Sequence, residues 1–171
     1  MKAFSTLVVL RAAPETLFRT MRDRMAEVAA ALPDIEAIDE LDRREGREGL
    51  IVVNRWRAAT RVPGFLQAQL GTEIAWEDHA VWSATANACA WTIRPSIGDG
   101  AIACEGTTRF EPAMAGRGTR AQFSGELRIR PEFVARVAGP LAKPLTAFVE
   151  QIATTLIPAN FRHAAEAAAR L

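Results

Sequence analysis

The sequence predicts an α+β domain in which a curved antiparallel β-sheet can wrap a long C-terminal α-helix, an arrangement that leaves room for an internal cavity. Three observations predict it. Strand-like segments are grouped between an N-terminal and a C-terminal helical stretch, which is not the strand–helix alternation of a parallel sheet. The segment Thr119 to Arg130 alternates cleanly, with Ala121, Phe123, Gly125, Leu127 and Ile129 on one face. Arg120, Gln122, Ser124, Glu126, Arg128 and Arg130 occupy the other, as in an antiparallel sheet with one dry and one wet face. Finally, 33 of the 84 apolar residues are alanine, so 49 bulky side chains must line a sheet and clothe two helices. That distribution suits a core with a hollow in it.

Each element follows from local pattern. Lys2 to Leu10 reads as a buried strand, rich in Val, Leu, Phe and Thr. Pro14 suits a first helical position, and Glu15 complements the helix dipole. Leu17, Phe18, Met21, Met25, Val28, Ala29 and Leu32 then recur at spacings of three and four, one face of a single helix that Pro33-Asp34 ends. Ile35 to Arg44 is strand-like and Glu45-Gly46 is a turn. In Leu50 to Ala58, Val52, Asn54 and Trp56 share the inner face, and an interior Asn54 needs a hydrogen-bond partner or a polar ligand group.

Arg61 to Thr72 breaks the strand pattern. Pro63-Gly64 signals a turn, Phe65, Leu66 and Leu70 sit at helical spacing, and Gly71 fits a helix cap. This apolar insertion is either a loop packed on the core or a lid over a cavity. Ile74 to Pro95 reads as two or three strands with breaks near Asp78 and Asn87, and Ser96 to Gly100 as a turn. Ala101 to Phe110 places Ile102, Cys104, Gly106, Thr108 and Phe110 on one face. Pro112 to Gly118 is a loop. Pro131 to Gly139 forms a helical turn, and Pro140 and Pro144 precede a long helix striped by Leu145, Phe148, Val149, Ile152 and Leu156. Pro158 is expected to kink or interrupt that helix, which resumes from Asn160. No repeat or linker divides the chain, so residues 1–171 read as one domain.

Charge and composition exclude several functions. The 21 basic and 20 acidic residues nearly cancel, which argues against a nucleic-acid partner. Nineteen of the basic residues are Arg and tyrosine is absent; with so many alanines, a GC-rich bacterial genome explains both. The longest stretch without a charged Asp, Glu, Lys or Arg, His79 to Ile93, is too short to span a bilayer, and Leu7 to Leu10 is too short for a secretory signal. A cytoplasmic protein is expected. If a turn is centred near Gly98 and Asp99, Cys89 faces Thr108 and Cys104 faces Ile93 or its neighbour. The thiols are then free, buried and structural, and no metal or other cofactor is expected.

Catalytic patterns are sparse. His79 follows Glu77 and Asp78; at a cavity mouth it would serve as a general base, and in a turn it would be an ordinary surface residue. Asp78, His79 and Glu105 supply two acids and a base, but nothing in their spacing requires them to meet. His163 and Glu166 read as a surface pair. Arg94 or Arg109, if turned inward, would suit a ligand carboxylate or phosphate. No phosphate-binding glycine loop and no Gly-x-Ser-x-Gly elbow is present.

The chain resembles the START-like, Bet v 1-type helix-grip superfamily, the polyketide cyclase and lipid-transfer group. The residues that carry the resemblance are Ala13 to Phe18 with Asp23 after the first strand, Gly106 to Pro112 followed by Gly118-Thr119-Arg120, and Asn160 to His163 with Glu166 in the last helix. The chain departs from the common pattern in the insertion around Pro63 to Gly71 and in its proline-bounded C-terminal helix. The resemblance implies a cavity for a lipid, quinone, polyketide or similar apolar molecule. Its expected ligand-binding residues are Asn54, Trp56, Trp91, Thr108, Phe110, Phe123, Phe148 and Ile152, with volume left by Gly106, Gly125 and Ala121. The competing reading is that the aromatics simply fill the core. The function implied is binding or transport without catalysis. The alternative is a polyketide cyclase or aromatase using Asn54, Ser83, Thr108 or His79. A transient membrane-surface contact through Phe65, Leu66 and Val134 to Leu145 is a third possibility.

Overall fold

The computed structural model describes residues 1–97 and 100–171. Seven antiparallel strands form one sheet in the order β1-β7-β6-β5-β4-β3-β2. They are β1 (Lys2–Leu10), β2 (Ile35–Glu45), β3 (Leu50–Arg61), β4 (Glu73–Ser83), β5 (Ala88–Pro95), β6 (Ile102–Ala113) and β7 (Gly118–Ile129). β1 and β2 are the two edges. β1 is only half buried because it alternates: Val8 turns into the core, while Leu7 and Val9, on the outer face, remain 41% and 53% exposed. Register shifts between Glu40 and Asp42 in β2, and between Arg57 and Arg61 in β3, are bulges of the kind that curve a sheet.

The N-terminal helix expected to be continuous is two helices, α1 (Pro14–Asp23) and α2 (Met25–Ala29). Arg24 leaves helical geometry between them (φ −124°, ψ 29°). The break lets Leu17, Phe18 and Met21 on α1 and Met25 and Val28 on α2 all bury. Local periodicity cannot register such a break, because no Gly or Pro marks it. The insertion forms a 3₁₀ turn over Gly64–Leu66 and the short α3 (Gln67–Leu70), capped by Gly71 at φ 74°. Leu66 and Leu70 pack inward, whereas Phe65 stands 61% exposed.

β4 runs unbroken through Asp78, contrary to the expected break there; the break at Asn87 is present. Cys89 pairs with Thr108 and Ile93 with Cys104, so the two thiols are separated in the β5–β6 register and both are free and buried. The expected turn residues Gly98 and Asp99 lie outside the described residues.

Helix α4 (Pro131–Ala138) is a full helix and not a single turn, and it ends at Gly139, whose φ of 47° only glycine takes easily. Beyond it run α5 (Ala142–Gln151), a π turn over Ile152–Leu156, and α6 (Ile157–Ala168). Pro158 removes one helical N–H, and its ring crowds the carbonyl four residues back. The π turn immediately before it absorbs this conflict, so helical dihedrals continue through Ile157 (φ −63°, ψ −49°). α6 packs against β1, β7, α1 and α2 and buries Asn160, Phe161, Ala164, Ala165 and Ala168. No helix among the described residues is long and apolar enough to cross a membrane.

Candidate functional site

A hollow of about 60 Å³ lies between the inner face of the sheet and α6. Met21 and Met25 close it from α1 and α2, and Ile157, Asn160, Phe161 and Ala164 from α6. The sheet contributes Trp56, Trp76, Asp78, Trp82, Cys89, Trp91, Ile93, Thr108 and Phe123. All four tryptophans of the chain therefore line one space. A second hollow of about 50 Å³ shares Trp76 with the first and is bounded by Val62 and Leu70 of the insertion, by Leu127, and by Phe148, Val149 and Ile152. Each is smaller than the roughly 150 Å³ that admits a benzene-sized guest, so a larger ligand requires the walls to move. Met21 and Met25, flexible thioethers on either side of the Arg24 break, are the side chains best suited to do so.

The aromatic walls are ordered by strand register. Trp56 faces Trp76 across β3–β4, and their rings stack 5.8 Å apart at 15°. Trp91, Phe123 and Phe161 form a second stack that joins β5, β7 and α6, with centroids 4.5 and 4.7 Å apart. Gly106 and Gly125 pair directly beneath Trp91. A Cβ on Gly106 would stand 2.5 Å from the indole, and one on Gly125 2.4 Å from it. The volume expected to be left free by these glycines is thus occupied by Trp91.

Polar groups among these walls lack partners. Nε1 of Trp56, Trp82 and Trp91, Oδ1 of Asp78 and Oδ1 of Asn160 are all buried without a hydrogen bond. Leaving such a group unmatched costs about 1–3 kcal/mol. Asp78 reaches the hollow because β4 alternates: Trp76, Asp78, Ala80 and Trp82 share the inner face. Part of Asp78 remains accessible while Oδ1 is buried. Burial pushes its carboxyl up to about 7. Burial, then the Asp78 charge, raises the Cys89 thiol well above its ordinary value.

Of the residues expected to bind ligand, Trp56, Trp91, Thr108 and Phe123 line the first hollow, and Phe148 and Ile152 the second. Asn54 is buried opposite Asp78 but lines neither. Phe110 also lines neither hollow; it lies edge-on to Phe18 at 5.7 Å and stacked near Trp82 at 6.1 Å. His79 is no cavity base: it points away from the core, with Nε2 2.8 Å from Glu77 Oε2. Glu105, Arg94 and Arg109 are exposed on the outer face. Ser83 ends β4 beside the β4–β5 turn, where its Oγ accepts from the Ala86 N–H at 3.3 Å. His163 is half-buried, with no hydrogen bond or ion pair to Glu166 among the described residues. Sequence reasoning did not place Asp78 or Asn160 in the cavity wall. The period-two run Trp76, Asp78, Ala80, Trp82 was the signal for the first; Asn160 had none beyond its place beside Phe161. No cluster of three potential metal ligands occurs among the described residues.

The family model described as polyketide cyclase / dehydrase and lipid transport matches residues 1–159. The chain belongs to that family. Solved structures share its helix-grip fold. TTHA0849 from Thermus thermophilus superposes with a TM-score of 0.67 at 18% identity, over 98% of this chain and 97% of that one. The Zhui aromatase/cyclase from Streptomyces sp. R1128 gives 0.64 at 14% identity, over 99% and 92%. Ara h 8.0201 gives 0.59 at 15% identity, over 96% and 95%. No curated protein matches the chain. At these identities the likeness is one of fold, and the polyketide cyclase/dehydrase and lipid-transport family is where sequence and fold agree.

Proposed function

We propose that this protein binds an apolar small molecule carrying one or more oxygen functions, in the hollow between sheet and C-terminal helix, as a carrier without catalysis of its own. The observation that carries the reading is the lining itself: four tryptophans, two phenylalanines and two methionines interrupted by five buried polar atoms without partners. A core evolved only for packing has no use for five such atoms, whereas a ligand's polar groups would satisfy them. Binding is accompanied by displacement of Met21 and Met25, because the hollow at rest is small. A catalytic reading, cyclisation or aromatisation of a polyketide-like substrate, draws on one observation: Asp78 lies in the hollow with its carboxyl near neutrality. Against it, no second carboxylate or histidine lines the same space among the described residues, the Cys89 thiol is held protonated, and His79 points outward.

Because every tryptophan lines the hollow, intrinsic fluorescence reports its occupancy directly. Titration with indane and with its ketone, indanone, should shift and quench tryptophan emission saturably. Ala164→Leu, which adds three carbons to a wall residue, should abolish the response while the unfolding midpoint shows the protein still folded. An unchanged response in that variant, or no response in the wild type, refutes the reading.

A further inference from the structure

The unpartnered polar atoms of the residues that line the hollow are unbalanced in kind. Trp56, Trp82 and Trp91 offer three indole N–H donors with no acceptor. Asn160 commits its Nδ2 to the Leu156 carbonyl at 2.9 Å and leaves only Oδ1. Among the described residues Asp78 supplies the one carboxyl of the lining, and no Arg, Lys or His stands there with it. We propose that Asp78 works as a neutral carboxylic acid that donates its O–H to a ligand carbonyl, so that the hollow selects apolar ketone-like molecules and releases them when Asp78 ionises. This rests on the binding function above and names its ligand chemistry.

Among the described residues, the surroundings of Asp78 give an ionised carboxylate no cation to pair with. Across β3 stands Asn54 and across β5 stands Ile93, both neutral. β5 and β6 contribute the Cys89 and Cys104 thiols and Thr108, and burial before all else holds both thiols protonated. α1 and α2 present Met21 and Met25, and α6 presents Asn160 and Phe161. The charged neighbours Glu77, Arg55, Arg94 and Glu105, and the adjacent His79, belong to the opposite face of the sheet. His163 on α6 does not line the hollow. The neutral acid is the form that burial favours at and below neutrality. In that form Asp78 adds a fourth donor to the three indoles, so the unpartnered groups of the lining are mostly donors and suit a guest that brings acceptor oxygens, each carbonyl accepting from up to two of them. An ammonium guest would meet the carboxylate and the aromatic faces, but would leave all three indole N–H groups unmatched.

The test uses three guests of one shape, indane, indanone and aminoindane, followed by tryptophan fluorescence from about pH 5 to about pH 9. Wild-type protein should prefer indanone to indane below neutrality, and its indanone affinity should fall about tenfold for each pH unit above neutrality. Asp78→Asn keeps an N–H donor but cannot titrate, so its indanone affinity should be independent of pH. Asp78→Leu should lose the preference for indanone over indane. A wild-type indanone affinity that is flat with pH, or the same pH dependence in Asp78→Asn, overturns the proposal. So does a preference for aminoindane that strengthens as pH rises, which would make the carboxylate the binding form. If indane binds and Ala164→Leu blocks it while the ketone gives no advantage, the proposal fails and the binding function stands. If no guest binds at any pH, both fall.

Discussion

Asp78 should make the stability of the unliganded fold depend on pH in a direction opposite to that of most carboxylates. Its carboxyl rises from 3.8 in the unfolded chain to about 7 in the folded one. The folded state therefore holds a proton that the unfolded state has released between those two values. The stability associated with that proton is fully present below about pH 4 and is lost as pH rises through about 7. The gap corresponds to about 4 kcal/mol, at 1.36 kcal/mol for each pH unit. Asp78→Asn is nearly isosteric with the neutral acid and cannot ionise. Relative to wild type it should be near neutral at pH 4 and more stable by about 4 kcal/mol at pH 8, or about 10 °C in Tm for a chain of this size. Urea unfolding of both proteins across that range measures the difference. Asp23 and Glu40 work the other way. The guanidiniums of Arg22 and Arg43 hold their carboxyls below the ordinary range, so their contribution is lost as pH falls. These contributions are common to both proteins and cancel in the difference. A difference that stays constant from pH 4 to pH 8 would refute the reasoning, because it would mean that Asp78 does not titrate between those limits in the fold.

Two further outcomes follow from the packing. Gly125→Ala places a Cβ 2.4 Å from the Trp91 indole and 2.7 Å from the Glu105 carbonyl, so the ring must move off Phe123. A loss of about 1–3 kcal/mol is expected, together with a red shift of tryptophan emission, and calorimetry with a fluorescence spectrum checks both. The two thiols should resist alkylation in the folded protein. Cys104 is pushed up to about 12 by burial first and then by the charges of Asp78 and Glu105, and Cys89 is raised by burial first and then by the charge of Asp78. Iodoacetamide at pH 8 should therefore modify neither until denaturant is added, as read by mass spectrometry.

Much of the fold was legible because it depends on short-range period and turn chemistry. The alternation of Thr119 to Arg130 marked β7, and the residue count from a turn near Gly98 placed Cys89 opposite Thr108 before any strand was paired. The inward position of Asn54 followed from Val52 and Trp56 on either side. The candidate site was less legible. Charged residues in the run Glu77-Asp78-His79 read as a turn, because three polar side chains in succession carry no sign of which one the sheet will bury. Gly106 and Gly125 read as free volume, because the indole that fills it arrives from a neighbouring strand.

The sequence alone determined the antiparallel sheet, the C-terminal helix and the aromatic content of the core, all of which are written in alternation at two residues and recurrence at three and four. Tertiary structure alone decided that four tryptophans from three strands converge on one space, that Asp78 is enclosed among them without a cation, and that a π turn carries the last helix past Pro158. These depend on which side chains meet across elements distant in the chain. The ionisation of a carboxyl is set by that meeting and not by its neighbours in sequence.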